Sequence, residues 1–153
     1  MSQVNLSYMK MIGITVRTSN ASGASGTDIP TLWNRFMSEE VLLKIPNRIN
    51  DRIYCIYTDY ESDHTKPYTT LLGCQVTELD LIPEGMTGIE IPMGTYEQIT
   101  VTGNLLEGIV YKAWVDIWQQ PLYRAYKADF EVYDGKAADM SAAEVNIFVG
   151  VQN

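Results

Sequence analysis

The chain has 153 residues, of which 46% are hydrophobic and 20% are charged, and its formal net charge is −8. This composition suffices for one buried core, excludes a disordered chain, and makes nucleic-acid binding by this chain alone unfavourable. Because no run approaches the ~20 apolar residues that cross a bilayer, and residues 1–10 lack the pattern of a signal peptide, we expect a cytoplasmic protein without a membrane partner.

The first half of the chain predicts one strand, one helix and a hairpin. Residues 10–18 are β-branched and partly alternating, which favours a strand, and the Ser- and Gly-rich residues 19–26 favour a surface loop. Apolar residues recur at helical spacing over residues 27–44, after a polar cap. Two strands at 52–60 and 68–77, separated by a short polar turn, predict an antiparallel hairpin.

The second half predicts the same order of elements. After a linker with proline and glycine at 79–88, the predicted elements are a bent strand within 89–101, a helix from 103 to 120, a strand at 126–133, a loop at 134–141 and a strand at 144–151. Pro92 and Gly94 account for the bend, and Pro121 ends the helix.

Short local matches indicate a duplication. Ile14-Thr15-Val16 recurs as 99–101, a Trp at 33 recurs at 114, and Leu72-Gly73-Cys74-Gln75 recurs as 149–152. We therefore predict a single α+β domain of two β-α-β-β modules related by a pseudo-twofold axis, with an antiparallel sheet and two main helices. The predicted modules are residues 1–78 and 89–153, and the cleft near the axis is the expected ligand site.

Motifs for catalysis, cofactors and metals are absent from the sequence. Cys55 and Cys74 lie in apolar, strand-like runs, where buried free thiols are common, and His64 is the one histidine. A zinc site made of cysteine and histidine needs about four ligands, and the sequence has three such residues, which excludes a site of this type. No phosphate-binding or dinucleotide-binding glycine motif and no Gly-x-Ser-x-Gly elbow occurs. The sequence predicts no catalytic residue, no cofactor and no metal site.

Aromatic side chains are the most prominent feature, with 3 Trp, 10 Tyr and 3 Phe. Tyrosine suits half-buried pocket walls because its ring packs while its hydroxyl stays polar. For the helical Trp33, Trp114 and Trp118, packing against the sheet is an equally good interpretation. Alternation along 52–60 places Tyr57 on one face of its strand and Tyr60 on the other.

Glu131 is the most informative single residue. Alternation along its strand defines two faces: Tyr126, Ala128, Phe130 and Val132 are expected against a helix, and Lys127, Asp129, Glu131 and Tyr133 are expected on the opposite face. That second face is either exposed to solvent or covered by the other module. In the second case Glu131 would be desolvated among aromatic rings, and an organic cation would supply the missing charge.

Several segments together resemble the gyrase-inhibitor-like effector-binding domains, which also form the ligand-binding halves of AraC- and MerR-type regulators. They are residues 57–63, 68–76 and 91–96, the Trp114-x-x-x-Trp118 helix and the Asp129-Phe-Glu-Val-Tyr133 strand. The resemblance is greatest to the stand-alone, integron-encoded members that bind cationic drugs. It implies a duplicated β-α-β-β fold and a hydrophobic, cationic ligand held by aromatic side chains around a central glutamate.

The resemblance assigns the central glutamate to Glu131 and the helix aromatics to Trp33 and Trp114. No helix-turn-helix segment precedes the domain, which argues against direct transcriptional control by this chain alone. The full set of predicted ligand-binding residues is Trp33, Phe36, Tyr57, Tyr96, Trp114, Trp118, Glu131, Tyr133 and Phe148.

Three functions follow from these observations. The first is a binding protein for a cationic or amphipathic aromatic small molecule. The second is an interaction protein that inhibits a macromolecule, or serves a separate regulator, through its acidic surface. The third is a weak hydrolase that uses Glu131 and Tyr133, as some relatives of the family do.

Overall fold

One antiparallel sheet of eight strands forms the centre of the computed structural model, which describes residues 2–135 and 139–152. Three α-helices accompany it in these residues. The strands are β1 (Ser2–Leu6), β2 (Met9–Thr18), β3 (Ile53–Thr58), β4 (Tyr68–Val76), β5 (Thr87–Ile91), β6 (Gly94–Gly103), β7 (Arg124–Tyr133) and β8 (Ala143–Val151). The helices are α1 (Ser25–Ser38), α2 (Val41–Lys44) and α3 (Ile109–Gln119).

The strand order has pseudo-twofold symmetry, because β1-β6-β8-β7 from one edge corresponds to β5-β2-β4-β3 from the other, with each strand replaced by its equivalent in the other half of the chain. The order is β1-β6-β8-β7-β3-β4-β2-β5, so β3 and β7 are the two central strands, and each half contains one strand borrowed from the other half of the chain. β1 pairs with β6, and β5 pairs with β2. The sequence analysis missed β1 because an edge strand with one solvated side needs no strong apolar pattern.

The repeated glycines at 73 and 150 have a common physical reason. Gly73 in β4 lies directly opposite Gly13 in β2, and a Cβ atom at residue 73 would lie 2.0 Å from the carbonyl oxygen of Ile12. A Cβ atom at Gly150 in β8 would lie 2.8 Å from the carbonyl oxygen of Ala128. The last strand of each half therefore needs a residue without a side chain where it approaches a neighbouring backbone.

Both long helices lie on one face of the sheet. α1 buries Leu32 and Phe36 against β2, β3 and β4, and α3 buries Trp114 and Ile117 against β8. The predicted helix contact of Phe130 is therefore wrong, because Phe130 belongs to a core cluster made of strand residues. Residues of the edge strands β1 and β5 cover that face: Val4, Leu6, Ile89 and Ile91.

Local boundaries differ from the sequence prediction where the backbone turns. The predicted helix over 27–44 begins earlier, at Ser25, and is divided after Ser38, where Glu40 adopts a left-handed conformation with φ 49°. Part of the predicted loop 19–26 is thus helical. In the predicted loop 134–141, residues 136–138 lie outside the described residues. Among the described residues, no helix combines the length and the apolar character that crossing a bilayer requires.

Candidate ligand-binding site

A cavity of about 440 Å³ lies between α1 and α3, above the central strands β3 and β7. Its volume is within the range of pockets that hold drug-sized ligands. Six of the nine predicted site residues line it: Trp33, Tyr57, Trp114, Trp118, Glu131 and Tyr133. Each long helix contributes at least one tryptophan, and the central strands contribute the carboxylate and two tyrosines.

Glu131 is buried at the base of this cavity, with 2% of its surface exposed. Its Oε2 accepts hydrogen bonds from the Tyr57 hydroxyl at 2.5 Å and from the Trp114 indole Nε1 at 2.7 Å. Its Oε1 accepts a hydrogen bond from the Tyr133 hydroxyl at 2.5 Å. The carboxylate is therefore held by three neutral donors, which fix its position but leave its charge uncompensated.

The environment opposes ionisation of Glu131. Burial raises the pKa of Glu131 above its usual 4.5, although the hydrogen bonds from Tyr133, Tyr57 and Trp114 act in the opposite direction. Burial also raises the pKa of Tyr57 and Tyr133 well above 10, so both hydroxyls remain donors at neutral pH. None of the ion pairs among the described residues involves Glu131.

The pseudo-twofold arrangement explains how the cage is built. β3 and β7 are adjacent and antiparallel, and Cys55 pairs directly with Glu131. Two residues beyond each of them stand Tyr57 and Tyr133, which both donate to the carboxylate. The duplication thus supplies the two tyrosine donors from equivalent positions of the two halves. The two halves differ at the centre, where one has a thiol and the other an acid, so no second carboxylate repels Glu131.

A second charged group lines the cavity at Arg124, at the start of β7. Its Nη2 donates to Asp129 Oδ2 at 2.7 Å in an ion pair whose side chains are 5% and 0% exposed. The Asp129 carboxylate also accepts hydrogen bonds from the Tyr60 hydroxyl and the Gly150 amide. The charge of Arg124 is thus offset within the protein, in contrast to that of Glu131.

Three predicted site residues lie away from the cavity. Phe36 is 1% exposed and lies on the face of α1 that packs against the sheet. Its ring is edge-on to that of Trp33, with 6.5 Å between the ring centres. Tyr96 and Phe148 lie in the strand-only cluster on the opposite face, where both contact the ring of Phe130. Alternation along β6 and β8 directs their side chains away from the helices.

Tyr60 reaches the cavity although strand alternation predicted the opposite face. β3 ends at Thr58, and Asp59 adopts a left-handed conformation with φ 50°, which redirects the following residue. The Tyr60 ring then contacts the rings of Tyr68 and Tyr126. Aspartate tolerates the left-handed conformation better than most residues, so Asp59 at the end of the strand was the one feature of the sequence that could have indicated this change of direction.

Arg124 was missed as a cavity residue because β7 is irregular at its start. The register between β7 and β8 shifts between Arg124 and Asp129, and Tyr126 has φ 53°. Tyr126 therefore leaves the face of Phe130, and its ring lies 4.4 Å from the guanidinium carbon of Arg124. Nothing in the sequence predicts such a bulge at a tyrosine.

The remaining polar groups do not assemble into a metal centre. Over residues 2–135 and 139–152, no group of three or more His, Cys, Asp or Glu side chains could hold a metal ion. Cys55 and Cys74 are both buried and free. The chemical capacity of the cavity therefore lies in its aromatic walls, the Glu131 carboxylate and the Arg124 guanidinium.

Comparison with known proteins identifies the family. The model of the Cass2 family, described as integron-associated effector binding protein, matches residues 4–151. The chain belongs to this family. The predicted resemblance and the α+β fold class are confirmed, and the family is one of effector-binding proteins.

Individual relatives agree with this membership in Cass2. The putative transcriptional regulator protein YobU of Bacillus subtilis is 29% identical over 152 residues, which cover 97% of this chain and 95% of YobU. The integron cassette protein VCH_CASS2 of Vibrio cholerae is 26% identical, with a TM-score of 0.74 and coverage of 99% and 95%. SAV2435, solved bound to tetraphenylphosphonium, is 17% identical and shares the fold, with a TM-score of 0.78 and coverage of 99% and 93%.

Proposed function

We propose that this Cass2 protein binds hydrophobic aromatic cations in the cavity between α1 and α3, with Glu131 as the counter-charge. The observation that carries the proposal is a carboxylate that is 2% exposed, accepts hydrogen bonds from three neutral donors and has no basic partner within residues 2–135 and 139–152. A ligand that brings a positive charge completes this arrangement.

The energetics favour a cation over a neutral ligand of the same shape. Desolvation of an unpaired carboxylate costs several kcal/mol, and an opposite charge within the cavity recovers much of that cost. The faces of Trp33 and Trp114 add cation–π attraction of about 0.5–2 kcal/mol for a suitably placed charge. Arg124 does not cancel the effect, since Asp129 already neutralises it.

The aromatic walls set the size and polarity of the ligand. The cavity holds about 440 Å³, and tyrosine and tryptophan rings form much of its lining. Such walls stack against flat or propeller-shaped aromatic compounds and offer few hydrogen bonds for sugars or nucleotides. SAV2435 was solved with tetraphenylphosphonium, a cation of this class, which makes that compound the natural first probe for this chain.

The proposal is tested with two ions of nearly equal shape and opposite charge. Isothermal titration calorimetry and thermal-shift assays are carried out with tetraphenylphosphonium and with tetraphenylborate. We expect saturable binding of the cation with one site per chain and a raised melting temperature, and at least about a hundredfold weaker binding of the anion. Equal affinity for both ions would contradict a cation-selective carboxylate.

A further inference from the structure

The Glu131 carboxylate has little capacity left to accept further hydrogen bonds. An ionised carboxylate offers about four lone-pair positions for donors. Three hydrogen bonds already occupy such positions, from Tyr57 and Trp114 to Oε2 and from Tyr133 to Oε1. A bound cation therefore meets the full negative charge of Glu131 but only about one free acceptor position on it.

The aromatic rings beside Glu131 form two edge-to-face pairs, one at each long helix. Tyr57 packs against Trp114 of α3 with 5.5 Å between the ring centres, and Tyr133 packs against Trp33 of α1 with 4.8 Å. All four rings belong to the cavity lining. They place ring surface next to the carboxylate, and such a surface attracts a cation without accepting a conventional hydrogen bond.

Two other tyrosine hydroxyls of the cavity wall are also engaged within the protein. Tyr60 donates to the Asp129 carboxylate, and Tyr68 donates to the side-chain oxygen of Asn20 at 2.7 Å. Tyr60 and Tyr68 both line the cavity. The wall is thus rich in polar atoms, but their hydrogen bonds are made to the protein, so a ligand that needs acceptors gains little from them.

These contacts favour one chemical type of cation over another. A primary ammonium group has three N–H donors and is strongly hydrated, so in this cavity it would lose hydrogen bonds to water that the protein replaces only in part. A phosphonium or quaternary ammonium centre has no N–H group and leaves no donor unsatisfied. Because Glu131 attracts the charge of both types, the unpaired donors decide between them.

We propose that the cavity selects cations without N–H donors over protonated amines of the same shape and charge. This inference rests on the proposed function, because Glu131 supplies the counter-charge in both cases. It narrows the ligand class from hydrophobic aromatic cations in general to permanently charged compounds, such as aromatic phosphonium and quaternary ammonium ions. Saturation of the carboxylate by the protein's own donors is the feature that excludes the amines.

Two cations of nearly equal shape test this selectivity. Methyltriphenylphosphonium and tritylammonium both carry phenyl rings and one small group on a central atom, and the small group is a methyl in the first and an ammonium in the second. Isothermal titration calorimetry measures both Kd values at one pH, at which titration of the free amine shows it to be protonated. We expect the phosphonium to bind at least about tenfold more tightly, because donors of the ammonium stay unpaired.

A variant that frees an acceptor position separates this effect from hydrophobicity. Tyr133→Phe keeps a ring against Trp33 but removes the donor to Oε1, so the ammonium gains a partner there. We expect the phosphonium-to-ammonium affinity ratio to fall to about threefold or less. A change in the ionisation of Glu131 cancels in this ratio, since it affects both cations alike. Tyr54→Phe, whose hydroxyl is bonded to Gln75 outside the cavity lining, is the matched control and keeps the wild-type ratio.

The outcomes distinguish the two proposals. A phosphonium-to-ammonium ratio near one in the wild type, or a wild-type ratio that persists unchanged in Tyr133→Phe, overturns the selectivity while cation binding stands. If Tyr133→Phe does not fold, as judged by circular dichroism, Tyr57→Phe decides in the same way, because it frees a position on Oε2. Absence of binding of both cations and of tetraphenylphosphonium by the wild type contradicts the proposed function, and the selectivity with it.

Discussion

Replacement of Glu131 by glutamine separates charge from shape in the cavity. Trp114 Nε1 can only donate, so the amide oxygen of the glutamine must face Trp114 and the neighbouring Tyr57 hydroxyl. The amide nitrogen then faces the Tyr133 hydroxyl, whose oxygen can accept. The substituted side chain thus keeps three hydrogen bonds, and the loss is confined to the negative charge.

The expected effects on binding and on stability therefore differ in size. A cation in the cavity of Glu131→Gln has no counter-charge, which costs at least about 2 kcal/mol of binding free energy, or about thirtyfold in Kd. The free energy of unfolding changes by about 1 kcal/mol or less, because a desolvated charge is removed while its hydrogen bonds are replaced.

Calorimetry with tetraphenylphosphonium and urea denaturation measure the two quantities. The matched control is Glu90→Gln on the edge strand β5, where an exposed side chain changes the net charge by the same amount outside the cavity. We expect its affinity to stay within about twofold of the wild type, because an exposed charge is screened. Equal losses in both variants would indicate binding through the acidic surface, and no loss in Glu131→Gln would refute the role of the carboxylate.

Four further predictions follow from the same contacts. Because burial raises the pKa of Glu131, affinity for tetraphenylphosphonium falls as the pH is lowered through that raised pKa, and binding in this pH range releases a proton. Calorimetry in buffers of different ionisation enthalpy measures the proton release, and an affinity that is independent of pH would refute this linkage. Tyr57→Phe removes one donor that lowers the pKa of Glu131, so the midpoint of this pH profile moves up; a downward shift argues against the hydrogen bond. Burial raises the pKa of Cys55 well above 9.0 and that of Cys74 to about 11, so neither thiol reacts with a disulfide reagent at neutral pH until denaturant is added; rapid labelling of the native protein contradicts their burial. Gly73→Ala lowers the free energy of unfolding by about 3 kcal/mol in urea titrations, because its Cβ atom would overlap a backbone oxygen; a change below about 1 kcal/mol contradicts that approach.

The order of the elements was predictable because it depends on local patterns. Helical spacing around Trp33 and Trp114 and the apolar runs that contain Tyr57 and Glu131 each mark one element, and the repeated Gly marks the last strand of each half. The exchange of β1 and β5 between the halves was not predictable, since pairing between strands distant in sequence leaves no local pattern. The exchanged strands cover the face of the sheet that contains Phe130, and both long helices pack on the opposite face, which contains Glu131.

The site was partly predictable for a related reason. Residues inside regular elements, such as Trp114 and Glu131, follow the periodicity of their element, so their shared face could be inferred. Tyr60 and Arg124 reach the cavity next to a left-handed residue and a register shift, which interrupt the periodicity. Their roles depend on the tertiary arrangement of the bulge and the β3–β4 loop.

The most direct test of the central claim is a crystal structure of the complex with tetraphenylphosphonium. We predict the phosphonium centre between α1 and α3, with phenyl rings against the tryptophan and tyrosine walls and the Glu131 carboxylate within about 6 Å as the nearest unpaired charge. A phosphonium bound on the outer surface, or a Glu131 side chain rotated away from the ligand, would contradict the account.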